Sequence, residues 1–280
     1  MTSSGDHISI LGSGWLGLPL AHELQQAGYI IKSSTRSSAR IEQIQLEGID
    51  AYLYDIDSIE SNSLENSQAF LHTDILIINI TSKNIESYKA LIHNIENTTI
   101  KKVLFISSTS VYVDSNQSNP HPITESDSSA IKLCPLIEIE NLFLENKKFE
   151  TSIIRFAGLI GYQRHPGRFF VQKDEQHTLR CKPIRNPDGL VNMIHRDDCI
   201  GIIQAVIKQQ SWGQIFNGCS SQHPTRREFY SWAIDDYCGE AKPEMKFLEE
   251  VNSSFKIIDN NKVKTHLTYK FIQDNLFYKS

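Results

Sequence analysis

Three glycines follow the first apolar run of the chain, residues 8–11, with the spacing G-x-G-x-x-G at Gly12, Gly14 and Gly17. Between a strand and a helix, this spacing permits a tight turn, lets a pyrophosphate approach the backbone and lets the helix pack closely on the strand. The helix N-terminus then offers unpaired N–H groups and a partial positive charge to the anion. The predicted loop also contains the intervening residues Ser13, Trp15 and Leu16. The spacing therefore predicts a dinucleotide site, whereas the alternative is that the glycines only pack a helix on a strand.

The end of the second predicted strand, residues 29–33, indicates which dinucleotide binds. An NAD site places an acid about 20 residues after the glycines to bind the ribose 2′-OH, whereas an arginine there accommodates a 2′-phosphate. No acid occurs between Gly28 and Arg40, Thr35 and Arg36 stand at the expected position, and Arg40 lies one helical turn further on. We therefore predict that these residues bind the nucleotide, with NADP(H) preferred and NAD(H) possible. The alternative is that Arg36 is an ordinary solvated charge.

Apolar runs alternate with amphipathic segments through the first part of the chain, which predicts an α/β protein with a Rossmann-type, doubly wound parallel sheet. Strands are predicted over residues 8–11, 29–33, 51–54 and 74–80. A fifth strand that runs into a hydroxyl-rich loop is predicted within residues 101–113, a sixth strand and its exit over residues 151–161, and a short strand over residues 215–217. Helices are predicted over residues 17–26, 88–95, 138–144 and 225–237 and from about residue 198. Ligands bind at the carboxyl ends of the strands in such a sheet. Asp55, Thr81 and Ser107 stand at three of these ends and are predicted to contact the cofactor.

The alternation breaks after residue 161. We predict that residues 1–161 form a dinucleotide-binding domain, which also receives parts of residues 190–220. Residues 162–280 are predicted to form a smaller substrate-binding region that folds over the nucleotide. The length of 280 residues suits one such large domain with an appendage.

The hydroxyl-rich stretch SSTSVY, residues 107–112, follows the fifth predicted strand. It resembles the extended short-chain dehydrogenase/reductase superfamily, whose sugar-nucleotide epimerases and dehydratases carry a catalytic Ser or Thr four residues before the Tyr of a similar motif. The resemblance implies that Ser108 hydrogen-bonds a substrate oxygen that gains or loses a proton, and that Thr109 contacts the substrate. The alternative is that these hydroxyls only satisfy backbone groups where the strand ends.

Further segments make the resemblance closer: GWLGLPLA, RFAGLIGYQRHPGRFF, VNMIHRDDCIGII, IFNG with HPTRREFY, and KIID. They are similar to the atypical YeeZ-like subgroup, bacterial proteins regarded as NAD(P)-dependent epimerase/dehydratase-like oxidoreductases. The similarity runs from residue 8 to about residue 269. It implies an NAD(P)-binding oxidoreductase acting on a small molecule.

The Tyr-x-x-x-Lys pair of the superfamily is missing. When Glu140 is aligned with the acid that commonly follows this pair, Lys132 stands at the Tyr position and Leu136 at the Lys position. No tyrosine occurs between Tyr112 and Tyr162. Since this pair normally transfers the proton, the mechanism of the epimerases does not carry over unchanged.

Four charged residues are candidates to replace the pair, because a general acid or base needs a tunable pKa and reach to the reacting atom. They are Glu125, Lys132, Glu138 and Glu140. Each is better explained as a solvated surface charge. Tyr112 is interpreted as packed beneath the loop rather than catalytic.

The loop of residues 162–170 is the predicted substrate side. Arginine forks suit phosphate or carboxylate, and histidine titrates near neutral pH. We therefore expect Arg164 and Arg168 to bind the substrate and His165 to act as a second catalytic residue, the alternative being an ordinary surface loop. The superfamily closes its substrate pocket with a segment similar to residues 192–198.

Within that segment, Asn192 and His195 are predicted to contact the substrate. A satisfied buried histidine is the alternative for His195. Asp198 is better interpreted as the N-cap of the helix that follows.

Composition excludes several classes of partner. The net charge of −5 carries no long runs, so nothing suggests a nucleic acid or an anionic membrane as a partner. No apolar run approaches a membrane span, and the polar N-terminal stretch shows no signal peptide, so a cytoplasmic protein is expected. The five cysteines are scattered, which predicts reduced thiols and no metal site.

The expected function is an NAD(P)-binding oxidoreductase that acts on a polar or sugar-derived small molecule, as a monomer or homodimer. One alternative is a non-catalytic NADP(H)-binding sensor or regulatory protein. Another is a lyase or isomerase that uses the nucleotide structurally. An enclosed polar pocket would favour an enzyme, and an apolar or blocked one a sensor.

Overall fold

The computed structural model describes residues 6–58, 63–115, 120–249 and 254–278. Its strands are β1 (His7–Leu11), β2 (Ile30–Thr35), β3 (Asp50–Leu53), β4 (Ile75–Ile78), β5 (Lys102–Ser108), β6 (Glu150–Phe156), β7 (Gly158–Ile160), β8 (Val171–Lys173), β9 (Leu179–Cys181), β10 (Ile184–Arg185), β11 (Met193–His195), β12 (Ile215–Gly218) and β13 (Phe247–Leu248). Its helices are α1 (Gly17–Gln26), α2 (Ile41–Leu46), α3 (Leu64–Leu71), α4 (Ile85–Glu96), α5 (Pro135–Leu144), α6 (Arg196–Lys208), α7 (Arg226–Cys238) and α8 (Asn261–His266).

Seven strands form one parallel sheet in the order β12-β6-β5-β4-β1-β2-β3. β1 pairs with β2 on one side and with β4 on the other, so the strand order reverses at β1. Every residue of β4 is buried, as expected of a strand covered on both faces. The prediction of a Rossmann-type α/β fold is confirmed, and the carboxyl ends of β1, β2 and β4 flank the crevice where such sheets bind ligands.

The chain divides into two compact units. The first contains the described residues up to Val111 together with Leu133–Arg155 and Ile203–Phe216. The second contains Tyr112–Lys132, Phe156–Ile202 and the described residues from Asn217 onward. The chain therefore passes between the units several times. In the predicted division it passes from the first domain to the second after residue 161 and returns to the first only within residues 190–220.

Each unit has its own apolar core. In the first, Tyr88, Phe105 and Phe143 are fully buried, and the rings of Phe105 and Phe143 stack with centroids 5.4 Å apart. In the second, the core gathers around Phe229 on α7 and Ile184 on β10. Burial of such rings contributes strongly to stability, so both units have the core that a stable fold needs.

Several predicted elements differ from the structure in their bounds. The apolar run of residues 151–161 is two strands, because β7 leaves the large sheet and pairs with β11. β5 ends at Ser108 and a 3-10 turn over Thr109–Val111 follows it. α4 begins earlier than expected because the side chain of Asn84 accepts a hydrogen bond from the Ser87 amide and caps it.

The N-cap interpretation of Asp198 is wrong. α6 begins at Arg196, so Asp198 lies inside its first turn and is fully buried. Its carboxylate accepts hydrogen bonds from Tyr269 Oη at 2.9 Å and from the amides of Ile272 and Gln273 at 2.6 and 3.0 Å. Burial raises the pKa of Asp198, and these hydrogen bonds oppose that shift. The residue therefore holds the segment around residues 269–273 rather than the helix start.

Within the described residues, no helix is long and apolar enough to cross a membrane. The polar N-terminal stretch, in which we expect no export signal, lies outside the described residues as far as residue 5. All five cysteines lie within the described ranges and none forms a disulfide. That part of the chain also contains no group of three or more His, Cys, Asp or Glu side chains that could hold a metal.

Candidate functional site

The loop after β1 is packed closely against the end of β4 and the start of α1. Gly12 has a φ of +109°, and a Cβ built there would lie 2.5 Å from the carbonyl oxygen of Asn79. A Cβ on Gly17 would overlap the carbonyl oxygen of Gly12. Asn79 Nδ2 donates a hydrogen bond to that same oxygen at 3.3 Å. The packing of the protein itself therefore requires Gly12 and Gly17.

Gly14 differs from the other two glycines. Its φ is not in the left-handed region, and a Cβ built on it would meet no atom within 4 Å. Neither backbone conformation nor packing therefore requires glycine here. The open space beside Gly14 is a cradle that a side chain would fill, as the pyrophosphate does in a Rossmann unit.

Three serines tie the glycine loop to the carboxyl end of β2. The amide of Gly12 donates to Ser34 Oγ at 3.1 Å, and the amide of Ser13 donates to the Ser34 carbonyl oxygen at 2.8 Å. Ser13 Oγ also donates to that oxygen at 2.5 Å and lies 2.9 Å from Ser33 Oγ. Ser13, Ser33 and Ser34 are almost fully buried. The side chain of Ser13 therefore holds the loop against β2.

A cavity of about 730 Å³ opens at the carboxyl ends of β1 to β4. This volume lies within the range of about 300–1,000 Å³ typical of ligand pockets. The predicted cofactor residues that line it are Gly12, Ser13, Gly14, Thr35, Arg36, Arg40, Asp55 and Thr81. The predicted residues that do not line it are Trp15, Leu16, Gly17 and Ser107. The glycine loop and the end of β2 thus share one cavity, as the sequence predicts.

Two arginines give the β2 side of this cavity a positive charge. Thr35 Oγ1 accepts a hydrogen bond from the Ser37 amide at 3.2 Å and turns the chain, which leaves Arg36 exposed. Arg40 ends a 3-10 turn directly before α2 and is partly exposed. A pair of guanidinium groups at one wall suits a phosphate.

Two aspartates from the loop after β3 also line this cavity. Asp55 Oδ1 accepts a hydrogen bond from the Asp57 amide at 3.0 Å. Ser82 Oγ donates to Asp57 Oδ1 at 2.9 Å and so connects the loops after β3 and β4. Residues missed from the sequence line the cavity here and after β4, among them Ile56, Asp57, Asn79 and Ser82. Asn79 has a recognisable signal, since its amide interrupts an otherwise apolar run.

Ser107 takes part in a buried ion-pair network instead of lining the cavity. Its hydroxyl donates to Glu140 Oε1 at 2.5 Å. Arg155 Nη2 donates to Glu140 Oε2 at 2.6 Å, and Arg155 Nε lies 3.2 Å from both carboxylate oxygens. Glu140 is fully buried and Arg155 is 2% exposed. The geometry therefore assigns Ser107 to the interior, which does not support the expected cofactor contact.

Ser108 is the hydroxyl that reaches the surface of this strand end. It is partly exposed, and its Oγ accepts a hydrogen bond from the Ser110 amide at 3.1 Å. Thr109 is 5% exposed, so its side chain is largely enclosed. Ser108 is thus the residue of the pair whose oxygen can reach a ligand.

The four candidates for the missing proton-transfer pair fall in different environments. Lys132 and Glu138 are exposed, as interpreted from the sequence. The surface interpretation is wrong for Glu140, which is fully buried. Glu125 is partly exposed, and its Oε1 accepts a hydrogen bond from the Asn217 amide at 2.6 Å. Burial raises the pKa of Glu125, and that hydrogen bond opposes the shift. Leu136, at the expected lysine position, packs on the core of the first unit.

Tyr112 is fully buried, as expected. Its hydroxyl donates to Asn217 Oδ1 at 2.8 Å. Its ring lies in the second compact unit, where the chain forms a bridge between Tyr112 and Ile131. Tyr112 therefore anchors this part of the second unit.

His165 is enclosed by α7 in the second unit. It is 5% exposed, its Nε2 lies 3.2 Å from Asp236 Oδ2, and its Nδ1 accepts a hydrogen bond from the Gly167 amide at 3.2 Å. The imidazole also stacks on Tyr237 with centroids 5.6 Å apart. Burial lowers the pKa of His165, which Asp236 partly opposes. Because both ring nitrogens are engaged, this placement does not support the expected catalytic role.

Arg164 and Arg168 of the same loop are exposed. Arg168 Nη1 donates to the carbonyl oxygen of Gln163 at 2.6 Å, which fixes the guanidinium beside the loop. These two arginines therefore remain accessible while the histidine between them is buried.

His195 is packed between aromatic rings. Its ring lies 5.4 Å from that of Tyr162 and 5.1 Å from that of Tyr278, and it is 7% exposed. Nδ1 accepts a hydrogen bond from the Asp197 amide at 3.3 Å. A Cβ on Gly161 would overlap this ring. The placement supports the buried alternative and not a substrate contact.

Asn192 borders a second, polar cavity of about 240 Å³ within the second unit. Its side chain donates to the carbonyl oxygen of Lys256 at 2.9 Å and accepts from the Ile258 amide at 3.0 Å. Arg226, Lys256 and Asp114 line it, and Lys256 Nζ donates to Asp114 Oδ1 at 2.8 Å, so the charge of Lys256 is paired. Asn186 Oδ1 is buried without a hydrogen-bond partner among the described residues, and the cavity can therefore accept a hydrogen-bond donor.

Comparison with known proteins finds a relative in sequence and several in fold. The chain is 28% identical to the protein YeeZ of Escherichia coli K12 over 279 residues, which cover 94% of this chain and 95% of YeeZ. No known family model matches the chain.

Solved structures share the whole fold. UDP-glucuronic acid 4-epimerase from Bacillus cereus, in complex with UDP-glucuronic acid and NAD, matches with a TM-score of 0.75 at 17% identity, over 97% of this chain and 95% of its own. A short-chain dehydrogenase/reductase superfamily protein from Agrobacterium tumefaciens with bound NAD has a TM-score of 0.73 at 13% identity, over 97% and 94%. A Methylobacillus flagellatus protein to which NAD-dependent epimerase/dehydratase activity is attributed has a TM-score of 0.71 at 21% identity, over 98% and 95%.

At these identities the solved structures establish the fold, and the 28% identity to YeeZ over 94% of the chain indicates homology. The chain is therefore a homologue of YeeZ with the fold of the NAD-dependent epimerases and dehydratases of the short-chain dehydrogenase/reductase superfamily.

Proposed function

We propose that this protein is an NADP(H)-binding oxidoreductase-like enzyme. The observation that carries the proposal is Gly14, since it is the glycine of the loop that neither φ nor packing explains. A ligand that approaches the backbone accounts for it, and the Rossmann arrangement makes that ligand the pyrophosphate of a dinucleotide. The NAD found in two of the similar structures supports the same class of ligand.

The charge on the β2 wall supports NADP(H) in preference to NAD(H). Arg36 and Arg40 border the cavity at the place where an NAD site carries an acid. Their guanidinium groups would hold a 2′-phosphate through charge-assisted hydrogen bonds. Asp55 and Thr81 border the same cavity and would contact the rest of the nucleotide.

A bound nicotinamide dinucleotide would supply the hydride chemistry. The chain's own contribution is to orient the substrate and to handle the proton. Ser108 carries a partly exposed hydroxyl at the end of β5, and we assign to it the hydrogen bond to the reacting substrate oxygen. Glu140, although on α5, is neutralised by Arg155 in the interior and is not the proton donor.

The proposed substrate is a small polar molecule with an anionic group, such as a sugar derivative. Arg164 and Arg168 are exposed, and the cavity beside Asn192 carries Arg226, whereas Lys256 there is paired with Asp114. Cationic side chains of this kind bind carboxylate or phosphate. The epimerase of known structure acts on a nucleotide sugar acid, which supports this class.

Calorimetric titration with NADPH, NADP⁺, NADH and NAD⁺ tests the proposal. Wild-type protein is expected to bind the phosphorylated pair more tightly, and NADPH is expected to raise its melting temperature by mass action. Gly14→Val should abolish binding while the melting temperature of the free protein stays near wild type, because a Cβ at this position meets no atom of the described residues within 4 Å. Retained NADPH affinity in that variant, or no binding by wild type, would overturn the assignment.

Gly17→Ala is the matched control. Its Cβ would overlap the Gly12 carbonyl oxygen, so this variant should lose thermal stability even without ligand. A Gly14→Val protein as unstable as Gly17→Ala would show that the middle glycine also serves packing.

A second candidate function, a nucleotide-binding regulatory protein, is favoured by the absence of any tyrosine between Tyr112 and Tyr162. Such a protein would bind NADPH without turning it over. A panel of polar carbonyl compounds separates the two candidates: NADPH oxidation that Ser108→Ala abolishes supports the enzyme. Tight NADPH binding with no oxidation by any compound supports the regulator.

A further inference from the structure

The half-buried amide of Gly12 is held by one side chain, Ser34 Oγ, at 3.1 Å. The other end of this residue, its carbonyl oxygen, is held by Asn79 Nδ2 at 3.3 Å. Ser34 extends from β2 and Asn79 follows β4. Gly12 is thus fixed from both neighbouring strands of β1.

Gly12 needs these restraints because glycine at a φ of +109° has wide conformational freedom. A loop that moves freely must be ordered when a ligand binds, and that ordering lowers affinity. A loop already held in its bound conformation avoids the loss. Ser34 borders the cavity, but it is only 1% exposed and its hydroxyl oxygen accepts the hydrogen bond from the Gly12 amide.

We propose that Ser34 is a positioning residue for the nucleotide's pyrophosphate and that it acts through the Gly12 amide rather than through contact with the ligand. The inference rests on the nucleotide site proposed above. It separates two parts of that site: Arg36 and Arg40 address the 2′-phosphate, and Ser34 governs the glycine loop. Ligands that lack a pyrophosphate are therefore indifferent to Ser34.

Ser34→Ala tests the inference, because it removes the hydroxyl acceptor and leaves the Ser34 carbonyl that holds Ser13. Its affinities for NADPH, NADH and 2′-AMP are measured by equilibrium titration beside those of wild type. We expect the affinities for NADPH and NADH to decrease by the same factor, roughly 3- to 10-fold, which is the effect of one hydrogen bond on a binding equilibrium. Binding of 2′-AMP, which carries adenosine and the 2′-phosphate but no pyrophosphate, should not change.

Ser9→Ala is the matched control for loss of a buried serine. Ser9 lies on β1, is fully buried and donates to the carbonyl oxygen of Phe70 at 2.6 Å, away from the loop. Its substitution should lower the melting temperature and leave all three affinities unchanged. Nucleotide affinity that falls equally in both variants would assign the effect to general loosening of the sheet and overturn the inference.

Two further outcomes overturn the inference without touching the proposed function. In the first, Ser34→Ala keeps wild-type affinity for NADH. In the second, Ser34→Ala lowers the affinity for 2′-AMP as much as the affinity for NADPH, which would place the hydroxyl against the adenosine side. Failure of wild type to bind any of the three ligands would instead overturn the nucleotide site itself, and the inference with it.

Discussion

Arg36 and Thr35 divide the work at the end of β2. Thr35 is 7% exposed and its hydroxyl accepts from the Ser37 amide, so it shapes the turn. Arg36 follows with an exposed side chain at the wall of the cavity. The residue that sets the backbone and the residue that supplies the charge are therefore separate.

Arg36→Glu is expected to weaken NADPH roughly 10- to 100-fold, since hydrogen bonds to charged groups contribute about 1.5–3 kcal/mol. NADH, which lacks the 2′-phosphate, should change far less. Titration of both nucleotides checks the difference. Lys83→Glu is the control, because Lys83 is exposed close to this cavity in sequence but does not line it. Equal loss of NADPH and NADH affinity would contradict the role assigned to Arg36.

The glycine spacing predicts the loop and the cavity, but it does not show which glycines are required by packing and which one leaves room for a ligand. That distinction depends on Asn79, which lies 67 residues from Gly12 in the chain. The burial of His165 and His195 was equally hidden, because each is enclosed by residues far away in sequence, Asp236 and Tyr278. Residue types near a motif predict available chemistry, whereas their exposure depends on long-range packing.

At the scale of elements, α5 carries two glutamates with opposite environments. Glu138 is exposed, whereas Glu140 is enclosed with Arg155 from β6 and Ser107 from β5. The ion pair thus joins one helix to two strands of the sheet. A buried pair of this kind is costly to break from one side, because the remaining charge is left without a partner.

Glu140→Gln is expected to lower the free energy of unfolding by about 3–5 kcal/mol, since the buried Arg155 would lose the carboxylate that pairs with its charge. Urea denaturation measures the loss. Glu138→Gln on the same helix should change stability by less than about 0.5 kcal/mol. The double variant Glu140→Leu with Arg155→Met should recover much of the lost stability, because it removes both charges. A double variant no more stable than Glu140→Gln would show that the charges themselves are not the cause.

The strands of the first unit are predictable because β4 and its neighbours are apolar runs buried on both faces. The division of residues 151–161 into β6 and β7 is not, since the apolar run is continuous and only the pairing with β11 separates them. Helix α3 also has weak periodicity, and its start depends on the Ser63 side chain that accepts a hydrogen bond from the Asn66 amide. The hydrophobic pattern therefore predicts that a strand or helix is present better than it predicts the residues at which that element begins and ends.

At the scale of the whole molecule, buried histidines link stability to pH. Burial lowers the pKa of His165, His195 and His223, all in the second unit. A histidine with a lowered folded-state pKa binds fewer protons when folded, so acidification favours the unfolded chain. Its contribution is present above the ordinary pKa of about 6.5 and is lost as the pH falls below it.

The urea concentration at the midpoint of unfolding is therefore expected to decrease as the pH is lowered from 7.5 to 5.5. His165→Gln should reduce that fall, whereas His93→Gln, at an exposed position on α4, should leave it unchanged. The raised pKa values of Asp198 and Glu125 act in the opposite direction, but only where carboxylates titrate at lower pH. A urea midpoint that increases as the pH is lowered over this interval would contradict the assignment of these histidines as neutral in the folded protein.

The unequal glycines of the first loop also have an evolutionary consequence. Selection for folding alone would preserve Gly12 and Gly17, whose replacement creates a collision, and would leave Gly14 free to drift. Among descendants of this protein, a lineage that stopped using the nucleotide would keep the outer glycines and acquire a larger residue between them. The middle position therefore records the history of the ligand, and the outer two record the history of the fold.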